Sequence, residues 1–387
     1  MNFFTEYISA MKSQGLYRQN QVYQPASASH VAFGGREYLM LASNNYLGLT
    51  HHTKVKAAAI KAIEQYGTGA GGARLTTGTH PLYEALERDL AAFKGTEAAV
   101  AFNTGYMANL GTISAVMGKD DVIFSDALNH ASIIDGCRLS GATRVIFPHS
   151  DMDKLKELIE TTPCRGKRMI VVDGVFSMDG DIAPLEQIVK IAKEYQALVM
   201  VDDAHATGVL GLGRGTAAHF GLEDEVAIQM GTLSKALGAE GAYVAGKKEL
   251  IDFLINKARS YIFSTALAPA TIAAAHAALK EVMYSSTLVE RLLENGRFMR
   301  AELTKYGVQV NQAETPIIPI IVGSAEKATT ISNRLNQQGI ILSAIRPPTV
   351  PVGESRLRLT VSTAHNQTDL AIAAKKIAKA LQDEGMD

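Results

Sequence analysis

Cysteine is scarce: the 387 residues carry two, Cys137 and Cys164. A chain this long and this cysteine-poor does not rest on a disulfide framework, and both residues are expected as reduced thiols. An excess of one charge is lacking too. Lys and Arg number 38 against 39 Asp and Glu, a formal net charge of −1. No bulk field therefore draws the chain to nucleic acid or to a membrane surface, and no basic run suggests either partner. Long apolar runs are absent as well. The nearest approach to a membrane span, residues 266–279, is interrupted by Pro269 and His276. The start, Met1-Asn2-Phe3-Phe4-Thr5-Glu6, has no basic stretch leading into an apolar block, so no signal peptide is expected. What remains is an ordinary globular composition, 47% hydrophobic and 20% charged. A cytoplasmic enzyme fits it, and so does a cytoplasmic binding protein.

The pattern of apolar runs gives the organisation. Residues 1–48 begin with a helix, pass a Gln-rich stretch and reach the turn Ser43-Asn44-Asn45-Tyr46-Leu47-Gly48. Helical spacing of Val55, Ala59, Ala62 and Tyr66 predicts a helix over 52–66. A literal G-x-G-x-x-G follows at Gly67, Gly69 and Gly72. The dinucleotide fingerprint needs a strand before it and a helix straight after, and here a helix comes first, so the nicotinamide reading is rejected. Close approach of two backbones is the better account of these glycines. Pro81 then opens a helix with Leu82, Leu86, Leu90 and Phe93 on one face. Apolar runs at 98–102, 121–125, 144–148, 168–173, 197–201, 226–230 and 241–246 predict a large α/β domain over 49–283, with seven strands, mainly parallel, and helices on both faces. A smaller α+β domain over 284–387 should hold strands near 317–322, 339–345 and 356–362 and a last helix near 367–383.

The polar residues gather where these runs end. Lys235 lies between two small-residue turns in Gly231-Thr232-Leu233-Ser234-Lys235-Ala236-Leu237-Gly238. It reads either as a surface-loop lysine or as a desolvated amine held neutral enough to attack a carbonyl. Thr232 and Ser234 offer hydroxyls for a phosphate. Asn103-Thr104-Gly105-Tyr106 opens a helix after a strand, the arrangement that binds anions on unpaired N–H groups. His130 caps a helix, stacks on a flat ring or carries a proton. Ser177 is a hydrogen-bond donor or part of an Asp- and Gly-rich turn. Asp202 and His205 close a very apolar strand, where charge is costly unless paired. A metal is one partner for them, and the protonated nitrogen of an electron-sink pyridinium is the favoured one. At one sheet edge this inventory suits pyridoxal 5′-phosphate, and no metal is expected.

The spacing of Asn129-His130, Ser177, Asp202-x-x-His205 and Thr232-x-x-Lys235 resembles the α-oxoamine synthases, fold-type I pyridoxal phosphate transferases that join an amino acid to an acyl thioester with loss of carbon dioxide. The likeness runs from Ser43 to His365. Within that family, Ile345-Arg346-Pro347-Pro348-Thr349-Val350-Pro351 and Ser355-Arg356-Leu357-Arg358-Leu359 look most like the member that uses L-alanine and a pimeloyl thioester, borne by coenzyme A or a carrier protein. The alternative member uses glycine and acetyl-CoA.

The resemblance assigns roles by position. Lys235 would carry the cofactor and later move the substrate's α-proton. Asp202 would pair with the ring nitrogen, His205 and Ser177 with the phenolic oxygen, and His130 would stack over the ring. Gly105, Tyr106 and Thr232 would bind phosphate. Arg358 would grip the amino-acid carboxylate with help from Asn44, and Arg18 and Thr349 would lie near the acyl chain. Ser264 and Thr265 would reach the phosphate of a neighbouring subunit, which implies a homodimer with sites at its interface. A binding module that keeps the fold without turnover is the reading from outside enzymology.

Overall fold

Apolar runs between residues 98 and 246 form seven strands: β1 (Ala98–Phe102), β2 (Val122–Asp126), β3 (Thr143–Phe147), β4 (Arg168–Asp173), β5 (Ala197–Asp202), β6 (Ile228–Thr232) and β7 (Ala242–Gly246). In the computed structural model, which describes residues 2–13 and 16–386, they make one sheet in the order β1-β7-β6-β5-β4-β2-β3. Pairing is parallel from β6 through β3, while β7 runs antiparallel to both of its neighbours. The inner parallel strands β2, β4, β5 and β6 are buried on both faces along most of their length, as near-continuous apolar runs require, while the edge strand β3 is largely exposed. Alternation along each strand feeds two cores. Met169 and Val171 of β4 join Phe102, Ile113, Ile133 and Met230 on one face. Ile170 and Val172 join Phe124, Phe147, Leu185 and Ile188 on the other.

The residues fall into two compact units. The first, Asn44–Glu294 with Ala313–Pro316, contains this sheet. Its helices include α1 (Gly105–Val116), capped by the Thr104 side chain, and α2 (Ala131–Ser140), capped by His130. The expected helix near 52–66 is Thr53–Tyr66, and a long helix, Pro269–Met283, follows the sheet. The glycine-rich loop packs closely at two positions, against backbone at Gly78 and against a threonine side chain at Gly72. A Cβ on Gly78 would meet Gly72 O at 2.4 Å, and one on Gly72 would meet Thr77 Oγ1 at 2.2 Å. Beside them, Ala266 N–H bonds Gly72 O at 3.0 Å, and Ala73 bridges Thr265.

The second unit comprises Met1–Ser43, Asn295–Gln312 and Ile317–Asp387. Here the first 43 residues cluster with the C-terminal part, where a separate segment over 1–48 is the sequence expectation. The reason is strand pairing: Arg36–Met40 runs parallel to Ile340–Ile341 and antiparallel to His30–Phe33. The expected strand near 339–345 is thereby split, because Ser343–Ile345 joins Ser355–Thr360 and Ile317–Gly323 in a three-stranded antiparallel sheet. A helix, Ala325–Gln337, fills a stretch with no element assigned from sequence, and Gln367–Gln382 ends the unit. Among the described residues no helix is long and apolar enough to cross a membrane.

Candidate active site

The C-terminal ends of β1, β2, β4, β5 and β6 share one edge of the sheet, the place where open α/β folds bind ligands. A cavity of about 180 Å³ opens there, lined by Gly105, Tyr106, His130, Ser177, Asp202, His205, Thr232 and Lys235, with Asn109, Ser132, Asp173, Ala204, Met230 and Ser234 completing its wall. Nine of the residues singled out from sequence, Ser234 included, are therefore brought together within the first unit.

Asp202 ends β5 and is 3% exposed. Its Oδ2 accepts from Asn109 Nδ2 at 2.7 Å and its Oδ1 from the Ala204 N–H at 2.8 Å. Asn109 comes from α1 and also donates to Ser132 Oγ at 2.8 Å, so one amide links the first turn of α2 to the strand-end carboxylate. The Asn109 Oδ1 atom is buried without a partner. His205 follows on the turn after β5, with Nδ1 2.7 Å from the Tyr46 hydroxyl, which in turn donates to Asn44 Oδ1 at 3.2 Å. Among the described residues no group of three or more His, Cys, Asp or Glu is placed to hold a metal ion.

His130 fulfils the capping reading through one nitrogen. The Ser132 N–H lies 3.3 Å from Nδ1, and an N–H can only donate, so Nδ1 accepts and the proton of the neutral ring sits on Nε2. Desolvation holds this imidazole below its ordinary value, opposed by the Asp202 charge and aided by that of Lys235. The backbone N–H of His130 donates to Asp173 Oδ2 at 2.8 Å. Asp173 itself lies well above the usual carboxylate range, first through burial and then through the charge of Asp202.

Lys235 stands on a loop shaped by Gly238 (φ 62) and Gly241 (φ 110), left-handed positions that suit glycine. Gly238 N–H closes a turn on Lys235 O at 3.0 Å, and Leu233 N–H bonds Gly241 O at 2.9 Å. The Thr232 hydroxyl donates to that same Gly241 O at 2.9 Å and lies 2.7 Å from Ser234 Oγ. Its own proton is thus engaged, so in the 2.7 Å contact the exposed Ser234 hydroxyl is the donor and Thr232 Oγ1 the acceptor. At the start of α1 the Gly105 backbone lies close to β6: a Cβ there would meet Met230 Cε at 3.3 Å. The first N–H groups of that helix lack intrahelical acceptors.

The other predicted residues lie elsewhere. Asn44 is linked to His205 through the Tyr46 hydroxyl, as described. Thr265 is exposed and Ser264 half-buried, with Thr265 O accepting from Asn103 Nδ2 at 2.6 Å. Arg18, Thr349 and Arg358 belong to the second unit. Arg18 Nη2 and Thr349 Oγ1 are 3.5 Å apart beside a cavity of about 190 Å³ that Arg346 also lines. Arg358 is buried on its strand, opposite Pro319 and Ser343. Sequence reasoning missed Asn109, Asp173 and Tyr46 as parts of the site. Asp173 ends an apolar run as Asp202 does, and that shared position was the available signal. Cys137 is buried with its thiol pushed up to about 11, and Cys164 is likewise unpaired.

Comparison with known proteins follows the same lines. The aminotransferase class I and II family matches residues 36–377. The 8-amino-7-oxononanoate synthase of Lysinibacillus sphaericus is 47% identical over 384 residues, spanning 99% of each chain. That of Geobacter sulfurreducens is 49% identical over 382 residues, spanning 98% of each. Among solved structures, a serine palmitoyltransferase with pyridoxal phosphate matches with a TM-score of 0.94 at 31% identity, covering 100% of this chain and 98% of that one. An 8-amino-7-oxononanoate synthase from Francisella tularensis matches at 0.77 and 30% identity, covering 90% and 99%.

Proposed function

The chain belongs to the aminotransferase class I and II family, and on that premise we propose that it joins L-alanine to a pimeloyl thioester with loss of carbon dioxide, giving 8-amino-7-oxononanoate for biotin biosynthesis. Its architecture is that of a fold-type I pyridoxal phosphate transferase. The observation that carries the reading is the convergence of Lys235, Asp202, His205, His130 and Ser177 on one cavity in a chain matched end to end by relatives of that activity.

The cavity wall fits pyridoxal 5′-phosphate. It offers an amine, a buried carboxylate held by two donors, a neutral imidazole, and a helix start with open N–H groups beside Ser234. It also offers the unpartnered Asn109 Oδ1. When bound, the cofactor supplies an electron sink for the charge that develops at the amino acid's α-carbon. Lys235 holds the cofactor and moves the α-proton. Asp202 keeps a proton on the ring nitrogen, while Asn109 and Ala204 keep Asp202 aimed. His130 would stack on the ring, and His205 and Ser177 would bond its phenolic oxygen. Gly105, Tyr106 and Thr232 take the phosphate, with the Thr232 hydroxyl acting through its tie to Ser234. Arg358 binds the alanine carboxylate with Asn44 assisting, and Arg18 and Thr349 bind the acyl chain. A carbon–carbon bond forms between the alanine α-carbon and the thioester carbonyl, the thiolate leaves, the alanine carboxylate departs as carbon dioxide, and the proton held by Lys235 returns to the α-carbon.

The same reading includes a cytoplasmic homodimer in which Ser264 and Thr265 reach the partner's phosphate site. The exposed Phe263, at 70%, and Thr265 beside it support that surface as an interface. A panel of amino acids and acyl thioesters, scored by released thiol and carbon dioxide, tests the reaction. L-Alanine with a pimeloyl thioester should dominate; turnover only with glycine and acetyl-CoA would replace this reading with the ketobutyrate-forming one.

A further inference from the structure

His149 takes no part in the chemistry above, yet it occupies an unusual place. It follows β3 and Pro148 and lies between two carboxylates. Nδ1 is 3.0 Å from Asp126 Oδ1, and Nε2 is 2.9 Å from Asp181 Oδ2. Carboxylates only accept, so both ring nitrogens must donate and the ring is an imidazolium. Burial works against that charge, but the hydrogen bonds and charges of Asp126 and Asp181 outweigh it and push His149 up to about 10. Phe176 meets the ring edge-on, with centroids 4.4 Å apart and planes at 81°.

Each carboxylate organises a different stretch of the active-site wall. Asp126 ends β2 and is 3% exposed. Besides His149 it accepts from the Leu128 N–H at 2.8 Å and the Ser150 N–H at 2.9 Å. The turn it holds delivers His130. Ser150, whose N–H makes this bond, takes φ 55, a left-handed conformation that a serine rarely adopts. Asp181 sits on the hairpin after β4. Its backbone O accepts from Phe176 N–H at 3.0 Å, Gly180 N–H bonds Phe176 O at 2.8 Å, and Val175 bridges Ile182. Ser177 is on the tip of that hairpin. The second carboxylate oxygen of Asp181 is buried without a partner, so the side chain's hydrogen bonding rests on His149.

We infer that His149 is a positioning residue, clamping the turn that presents His130 to the hairpin that presents Ser177 so that the two hold one fixed geometry across the cofactor site. The inference rests on the proposed function for the roles of His130 and Ser177. The clamp itself rests on the distances above.

The test uses the full-length holoprotein and the variants H149Q, D181A, S177A and H149Q/S177A. Two readouts are taken: the pH-titration midpoint of the bound pyridoxal phosphate chromophore, and backbone hydrogen exchange with and without cofactor. H149Q should shift the midpoint in the same direction as S177A, and H149Q/S177A should shift it no further than S177A alone. In H149Q, exchange should rise in residues 126–130 and 175–182 and stay unchanged in β5 and β6. D181A, which removes the acceptor for His149 Nε2 and leaves the Asp126 bond intact, should loosen 175–182, and it carries the test should H149Q fail to fold. Additive shifts, or unchanged protection of 175–182 in D181A, would overturn the clamp, as would a lower melting temperature with chromophore and exchange untouched. Product formation by the unmodified protein is scored separately, so a wrong substrate assignment shows as absent product while the exchange readout still decides the clamp.

Discussion

Asp173 and Asp202 stand opposite each other on the adjacent parallel strands β4 and β5, and both are buried. Two carboxylates so placed do not both ionise at neutral pH. Asp202 has two donors on its oxygens, while Asp173 is raised well above the carboxylate range by burial and then by Asp202. Asp173 is therefore the partner that keeps its proton. A carboxyl whose folded pKa is raised penalises folding only above its unfolded value. The penalty is absent at lower pH and grows as pH climbs toward the folded pKa. Asp173→Asn, which can still accept from the His130 N–H, should match the parent near pH 3 and exceed it at pH 7 by more than about 1 kcal/mol. Urea melts at the two pH values check this; a variant weaker at pH 7 would mean that Asp173 is ionised in the folded protein.

The same pair shows what was legible in the chain and what was not. Asp202 stood out because it closes an apolar strand with His205 in the next turn, a local pattern. Asp173 closes an equally apolar run, but its meaning depends on which strand lies beside it, and register is not written in local sequence. Lys235 was legible through its flanking small residues, and the large sheet through its runs of Val, Ile and Met. The strands at 30–33 and 36–40 are short, and only the adjacent Tyr38 and Leu39 in them are buried, so no alternating burial pattern marks them. The helix Ala325–Gln337 buries only Ala328, Ile331 and Leu335, a thin stripe between two apolar strands. His149 shows no signal at all from sequence, because Asp126 and Asp181 lie 23 and 32 residues away.

Lys235→Ala should abolish turnover, since no other amine lines the cavity among the described residues. The cofactor should still bind through the helix start, Asp202 and the hydroxyls, but borohydride should no longer fix it to the protein. Mass spectrometry after reduction reads this directly, and a retained adduct would assign the covalent role to another lysine.

Lys94 and Asp203 form an ion pair at 2.7 Å with both side chains 0% exposed. Asp203 Oδ1 also accepts from the Thr216 N–H at 3.0 Å, and its backbone N–H ties the turn after β5 to Met230 O at 2.7 Å. Removing one partner of a buried pair strands the other charge, at a cost of roughly 3–5 kcal/mol. Lys94→Met should cost about that much in chemical denaturation. The double variant Lys94→Met with Asp203→Asn should recover part of the loss, because no full charge is then left behind.

Arg358→Ala is expected to raise the alanine concentration needed for half-maximal rate by roughly 10- to 100-fold, the scale of a lost charge-assisted pair with a carboxylate. The pimeloyl requirement should change much less. Because Arg358 is buried on its strand, Arg358→Lys is the companion variant: it keeps the charge but not the planar fork, and should fall between the two. An alanine requirement unchanged in both would remove Arg358 from the carboxylate site.

Asn109 bears on Asp202 through one 2.7 Å bond and on Ser132 through another at 2.8 Å. Its removal takes a neutral donor from a buried carboxylate, a loss of about 1–3 kcal/mol, or roughly 5- to 150-fold in an equilibrium that depends on that charge. Asn109→Ala should therefore weaken cofactor affinity by roughly tenfold while leaving the amino-acid and acyl preferences in place. Asn109→Asp tests the sign. It fits the same space but sets an acceptor, or a second negative charge, against Asp202 Oδ2, so the loss should exceed that of alanine. Fluorescence titration of the cofactor-free protein with pyridoxal phosphate measures both. If aspartate binds as tightly as asparagine, Asp202 is not the charged group that Asn109 supports.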